Sequence, residues 1–309
     1  MNSLNCTNET IWVQKEVIIT YISILLILGI LFNVAALWVF CSCMRKKWTE
    51  TIIYMINLAV SDLCLLCILP IMIYSQTQVE RKDTVLCQVS QSIYLINRYM
   101  SMSIITIISM DRYVAIQFPM QVKRFRSPSR SAIICAVLWV LVIISVISLN
   151  PRTWQLHDSF CFYAQTYKRS KMTIFSLIVF FISLIILTFC STQVIVILVK
   201  KKKTNAHEKK VIQKAIWIIS ANLLIYLACF LPMHVVLMAR LIMTLESCAS
   251  LYTWKYFIMI TSRLSNANCC LDAVCYYFVA KEFQEASAQA ISITSKSYKL
   301  QNSTQASTD

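Results

Sequence analysis

The chain has a single glycine, Gly29, in 309 residues. A phosphate-cradling P-loop, a dinucleotide-binding GxGxxG turn and a GxSxG nucleophile elbow each need at least two glycines, so all three are excluded. Histidine is nearly as scarce. His157, His207 and His234 stand far apart and HExxH is absent, so a histidine-based metal centre is not expected. Charge is short too: 14% of residues are charged, against about 25% in an ordinary soluble domain. Meanwhile 58% are hydrophobic and the mean hydropathy is +0.64. So little polar surface cannot cover a globule of this size in water, and lipid has to cover much of it. No enzyme activity and no organic cofactor are expected.

What the sequence does have is long apolar runs. About 20 consecutive apolar residues cross a bilayer as helix. Such runs fall at about 17–43, 52–75, 87–117, 131–149, 172–199, 213–243 and 255–279. The expected fold is therefore an all-α membrane protein, a seven-transmembrane helix bundle over residues 17–279, with a short segment 1–16 before it and a tail 280–309 after it. The net charge of +15 would suggest nucleic acid in a soluble protein. Here the basic residues flank the apolar runs, so nucleic acid is not an expected partner. Arg45, Lys46 and Lys47 fill the first loop, Lys123, Arg124, Arg126 and Arg130 the third, and Lys200, Lys201, Lys202, Lys203, Lys209 and Lys210 the fifth. By the positive-inside rule these alternate loops face the cytoplasm. The amino terminus is then outside and the tail inside, and the basic loops suit anionic membrane lipids.

Asn5-Cys6-Thr7 and Asn8-Glu9-Thr10 agree with that orientation, because both are glycosylation acceptors beside the expected outer end. The cysteines agree as well. Ten of fourteen fall within the apolar runs, and the other four, Cys6, Cys87 (the first residue of the third run), Cys161 and Cys248, all lie on the expected outer side, the oxidising compartment. Four cysteines permit three pairings. The tail is rich in Ser, Thr and Gln, a composition expected to be disordered and open to phosphorylation.

Arg98 is the residue most suggestive of chemistry. It lies eleven positions past Cys87, roughly 16 Å down a helix at 1.5 Å per residue. A charge at that depth is costly and commonly faces a cavity or a partner. A guanidinium offers a planar fork suited to carboxylate or phosphate, so the expected partner is a small anionic ligand. Arg240 at the end of helix six, Arg152 and Arg169 in the second outer loop, and Lys255 at the start of helix seven extend the positive region. Tyr94, Tyr99, Phe230 and His234 are candidate walls with polar tips. Against this stands a bland alternative for each: an internal partner for Arg98, ordinary packing for the aromatics, a solvated face for the loop cations.

Several motifs occur in order along these runs: Gly29 and Asn33; Asn57-Leu58-Ala59-Val60-Ser61-Asp62; Cys87; Asp111-Arg112-Tyr113; Trp139; Cys229-Phe230-Leu231-Pro232; Asp272-Ala273-Val274-Cys275-Tyr276; and Lys281-Glu282-Phe283. In this order and spacing the chain resembles the rhodopsin-like G-protein-coupled receptors across residues 17–285. The resemblance implies a plasma-membrane receptor signalling through heterotrimeric G proteins of the Gi/o and Rho-activating classes, and a short amphipathic helix eight. It implies disulfides Cys87–Cys161 and Cys6–Cys248. Asp111, Arg112, Tyr113 and Tyr276 become the G-protein switch. Asn33, Asp62, Ser101, Asn268 and Asp272 resemble the family's sodium pocket. Two carboxylates in that pocket are unusual, since like charges at close range do not both ionise cheaply; a cation binds or one acid keeps its proton.

Within the family the chain looks nearest to receptors associated with kynurenic acid, lysophosphatidic acid and other acidic ligands. Amine receptors carry an Asp where this chain has Tyr94, so a cationic amine is not expected. Departures from the pattern are Ser183 in place of a helix-five proline, Asp272-Ala273 in place of Asn-Pro, and Phe230 in place of Trp. A peptide or chemokine-like ligand is the runner-up within the same fold. A non-signalling scavenger and a transporter are the alternatives outside it.

Overall fold

The computed structural model describes residues 8–43, 49–77, 85–118, 127–149, 171–200, 206–242 and 248–275. Seven helices make up this part of the chain: α1 (Asn8–Trp38), α2 (Glu50–Thr77), α3 (Val85–Gln117), α4 (Pro128–Leu149), α5 (Lys171–Lys200), α6 (Ala206–Ile242) and α7 (Cys248–Ser265). There is no strand among the described residues. α1 ends in a π-helical turn, Val39–Cys43. Helix is the outcome to expect of apolar runs this long, because a backbone in lipid must satisfy its hydrogen bonds within its own segment. Among the described residues, α1 to α6 each contain a stretch long and apolar enough to cross a membrane. α7 is more polar, with Lys255, Thr261, Ser262 and Arg263 along it.

Several helices outrun their apolar runs. α1 begins at Asn8 rather than 17, while its membrane-length apolar part is Glu16–Cys41. α6 begins at Ala206 rather than 213 and α7 at Cys248 rather than 255. Hydropathy marks where lipid ends, whereas the helix continues until its hydrogen bonds run out. α7 breaks at 266–267 and resumes over 268–275. There Asn266 N bonds Arg263 O and Ala267 N bonds Leu264 O, both at 3.0 Å, which is the tighter i−3 pattern. The break comes without a proline. Cys269 Sγ donates to the Asn266 carbonyl at 2.9 Å and helps satisfy a backbone group there. α5 runs through buried Ser183 as unbroken helix.

α3 is the central element. It packs on α2, α4 and α5 and touches α6, while α1 lies on α2 and α6 on α7. The polarity is inverted relative to a soluble protein. Ile27 is 67% exposed and Ile185 68%, while Asn33, Asp62, Ser101 and His234 are fully buried. Outward apolar faces on α1, α4 and α5 and inward polar residues on α1, α2, α3 and α7 are what a bilayer surround requires. Gly29 lets α1 lie close against α2: a Cβ there would stand 2.6 Å from Leu66 Cδ2.

Candidate functional site

Side chains on a helix lean toward its N-terminus. Arg98 therefore reaches back one turn along α3 toward Tyr94. Its side chain is buried, with 6% exposed. Nη2 donates to the Tyr94 hydroxyl and, at 3.3 Å, to Ser262 Oγ on α7. The guanidinium carbon sits 4.7 Å from the Tyr94 ring centroid, in cation–π range. The Tyr94 hydroxyl donates in turn to the Ser262 carbonyl at 3.2 Å and meets its Oγ. These partners are neutral. Among the described residues no carboxylate lies within ion-pairing distance of Arg98. Hydroxyls satisfy donors and leave the positive charge unneutralised. Ser262 is the residue that sequence reasoning missed here, because one serine in a helix carries no pattern of its own.

None of the other candidate walls is hydrogen-bonded to Arg98. Tyr99 meets Phe175 of α5 edge-on, with ring centroids 5.2 Å apart. Phe230 packs on Tyr226 at 5.1 Å. His234 stacks on Phe180 at 4.1 Å, its Nδ1 is 2.7 Å from the Phe230 carbonyl, and its Nε2 is 3.2 Å from Ser176 Oγ. A carbonyl only accepts, so in the neutral ring Nδ1 carries the proton and Nε2 accepts from Ser176. Phe230 and His234 thus belong to an α5–α6 seam, while Tyr99 joins α3 to α5. Arg240 is half-buried in the last turn of α6. Arg152, Arg169 and Tyr276 lie outside the described residues, as do Asn5, Cys6, Cys161 and helix eight, and the side chains of Asn8, Cys87, Cys248 and Lys255 are likewise outside the description.

Deeper in the bundle is a polar cluster. Asn97 Nδ2 donates to Asp62 Oδ1 at 3.1 Å and to Ser61 Oγ at 3.2 Å. Asn268 Nδ2 donates to Asp272 Oδ2 at 2.7 Å. Asn33 Nδ2 donates to the Gly29 and Cys269 carbonyls at 3.0 and 2.9 Å, tying α1 to α7. Four oxygens of the expected sodium pocket, Asn33 Oδ1, Asp62 Oδ2, Ser101 Oγ and Asn268 Oδ1, are buried with no hydrogen-bond partner. Orphaned oxygens and carboxylates are the donor set a hard cation takes, so these residues fit one. Asn97 was not in the expected set, although Ser101 four residues on shares its face of α3.

At the opposite end of α3, Asp111 Oδ2 accepts from Thr51 Oγ1 of α2 at 3.2 Å. Arg112 lines a cavity with Ser109, Leu187, Ser191, Ile219 and Asn222, between α3, α5 and α6. Tyr113 meets Phe189 edge-on at 5.8 Å. The three switch residues thus face three different neighbours: α2, the cavity and α5.

Residues 32–276 match the family described as 7 transmembrane receptor (rhodopsin family). The chain is similar to G-protein coupled receptor 35 of mouse, 45% identical over 94% of this chain and 95% of that protein. It is similar to the human protein of the same name, 48% identical over 92% of this chain and 90% of that one. It is also similar to mouse lysophosphatidic acid receptor 4, 32% identical over 85% of this chain and 74% of that one.

Proposed function

We propose, on the premise that the chain belongs to the rhodopsin family of seven-transmembrane receptors, that Arg98 receives the negative charge of a small acidic ligand. Membership makes the chain a multi-pass membrane receptor and not an enzyme, with a ligand and a heterotrimeric G protein as its partners. The ligand class is carried by one observation: a buried guanidinium whose described partners are hydroxyls. An anion of the right shape replaces those hydroxyls with charge-assisted bonds and neutralises the site. The name of the lysophosphatidic acid receptor relative is in keeping with a phosphate or carboxylate head. Kynurenic acid and a lysophospholipid are the two ligand types that fit this reading.

The basic loops and the two amino-terminal acceptor triplets support an extracellular amino terminus at the plasma membrane. Ligand arriving from that side would reach Arg98 before the Asp62–Asp272 cluster, which would hold sodium and make agonist binding sodium-sensitive. The signal would leave through Arg112 and its cavity to Gi/o or Rho-activating G proteins, and the Ser- and Thr-rich tail would recruit arrestin.

The test is a G-protein dissociation assay with kynurenic acid and lysophosphatidic acid on surface-matched wild-type and Arg98→Ala receptors. Losing a charged hydrogen bond of about 1.5–3 kcal/mol predicts a potency loss of roughly 10- to 100-fold. An unchanged dose response in the variant would remove Arg98 from the ligand site.

A further inference from the structure

Where α5 gives way to α6, Lys200, Lys201, Lys202, Lys203, Lys209 and Lys210 make six lysines in eleven residues, with Glu208 the single acid among them. The fold brings the described members of this run to one level. Leu198 of α5 and Ile212 of α6 belong to one buried cluster with Val194, and Tyr113 and Ile116 of α3 pack on it. Lys200 lies two positions beyond Leu198 and Lys210 two before Ile212, each about 3 Å along its helix. Lys200, Lys209 and Lys210 are all exposed, so three cations stand at the adjoining ends of the two helices.

α6 is two-faced here. Ile212, Ala215, Ile216 and Ile219 turn inward to the cluster. Lys210, Gln213, Lys214 and Trp217 share the opposite face at helical spacing, and Trp217 is 56% exposed on it. The membrane-length apolar stretch ends at Lys200 in α5 and begins at Ile212 in α6. A tryptophan near such a boundary settles in the headgroup layer, which is roughly 5–8 Å deep in each leaflet. Lys210 is seven positions farther out, roughly 10 Å along the helix. The lysines thus stand at the outer edge of that layer, past the phosphodiester of an ordinary phospholipid. A phosphorylated inositol ring extends to that level and presents several negative charges there, whereas phosphatidylserine carries a single net charge closer to the membrane. A lysine offers a point charge rather than a fork, so the number of charges selects the partner.

We infer that Lys200, Lys209 and Lys210 form a binding site for the headgroup of a phosphoinositide, held between the ends of α5 and α6. In a cell this rests on the orientation proposed above, which turns these helix ends to the cytoplasmic leaflet. Binding to the purified receptor is independent of orientation, so failure of the one is distinguishable from failure of the other.

The experiment is native mass spectrometry of the full-length receptor in detergent, titrated with dioctanoyl phosphatidylinositol bisphosphate, dioctanoyl phosphatidylserine and free inositol trisphosphate. Wild type is expected to bind the bisphosphate lipid about tenfold or more tightly than either of the others. The free headgroup lacks the acyl chains that exposed Val199 and Trp217 would meet. One lysine near a charged surface is worth about fivefold in affinity. Lys200→Gln should therefore weaken the bisphosphate lipid about fivefold and Lys209→Gln with Lys210→Gln about 25-fold, because both helices contribute. Replacing all three by Arg keeps the charge and should keep the affinity, which separates loss of charge from loss of folding. Arg45→Gln with Lys46→Gln and Lys47→Gln, in a different basic segment, should change nothing. Equal affinity for the bisphosphate lipid and phosphatidylserine would make the lysines a diffuse basic surface and overturn the site. So would a free headgroup that binds as tightly as the lipid, full affinity in the Gln variants of either helix, Arg variants as weak as the Gln ones, or an equal loss in the variant of residues 45–47.

Discussion

At the scale of single residues, burial has different meanings for charged and neutral groups. Arg98 is buried against hydroxyls that cannot cancel its charge, whereas His234 is buried with both ring nitrogens engaged by α5 and α6. Engaged nitrogens need no ligand. His234→Phe keeps the stack on Phe180 and removes the link to Ser176. The expected result is a stability loss of about 1 kcal/mol, one buried hydrogen bond. Anion potency should stay close to wild type in the same receptor; a large selective loss of potency at normal stability would return His234 to the ligand site. Asp272 poses the reverse problem, a second carboxylate where the family usually has Asn. Close acids hold a proton or share a cation, so sodium competes with protonation. Asp272→Asn leaves one carboxylate, Asp62, and should strengthen the effect of sodium on agonist affinity near neutral pH. Equal sodium sensitivity in wild type and variant would end that account.

At the scale of elements, α1 and α2 meet where the chain spends its only glycine. Leu66 is fully buried, so its methyl groups have little room to move away from a new Cβ at Gly29. Gly29→Ala is expected to destabilise by about 1–3 kcal/mol, the range for overpacking a core. Gly29→Leu should stop the receptor reaching the cell surface. Thermal unfolding in detergent and surface staining measure the two, and an alanine variant of unchanged stability would show that α1 shifts freely on α2. The helices themselves were legible because a period-independent apolar run of membrane length has few other physical outcomes. Their ends were not, since Asn8, Ala206 and Cys248 start helices in sequence that hydropathy reads as exterior. The site was legible in part. Arg98, Asp62 and Asp272 stood out as charges in apolar surroundings, and Tyr94 as the residue one turn from Arg98. Ser262, the α3–α5 contact of Tyr99 and the α5–α6 seam of Phe230 and His234 depend on how each helix is rotated about its axis. No single helix encodes that rotation, because it is set by all the neighbours at once.

At the scale of the whole molecule, one asymmetry organises the rest: apolar faces outward, polar groups inward, and in the sequence basic residues gathered in alternate segments between the apolar runs. The first two make the bundle a membrane protein. The third carries the proposed orientation, because basic segments near a span resist translocation. On that proposal Arg45, Lys46, Lys47 and the basic stretches around 123–130 and 200–210 act together, and an odd number of spans would put the two termini on opposite sides. The ligand proposal depends on this, since Arg98 must open toward the side from which an acidic solute arrives and Arg112 toward the G protein. An epitope placed before Met1 should stain on intact cells, and one placed after Asp309 only after permeabilisation. Asn5→Gln with Asn8→Gln should remove a glycan-dependent shift in electrophoretic mobility. Staining of the carboxy-terminal epitope on intact cells would invert the bundle, and the sites for anion and G protein would exchange compartments with it.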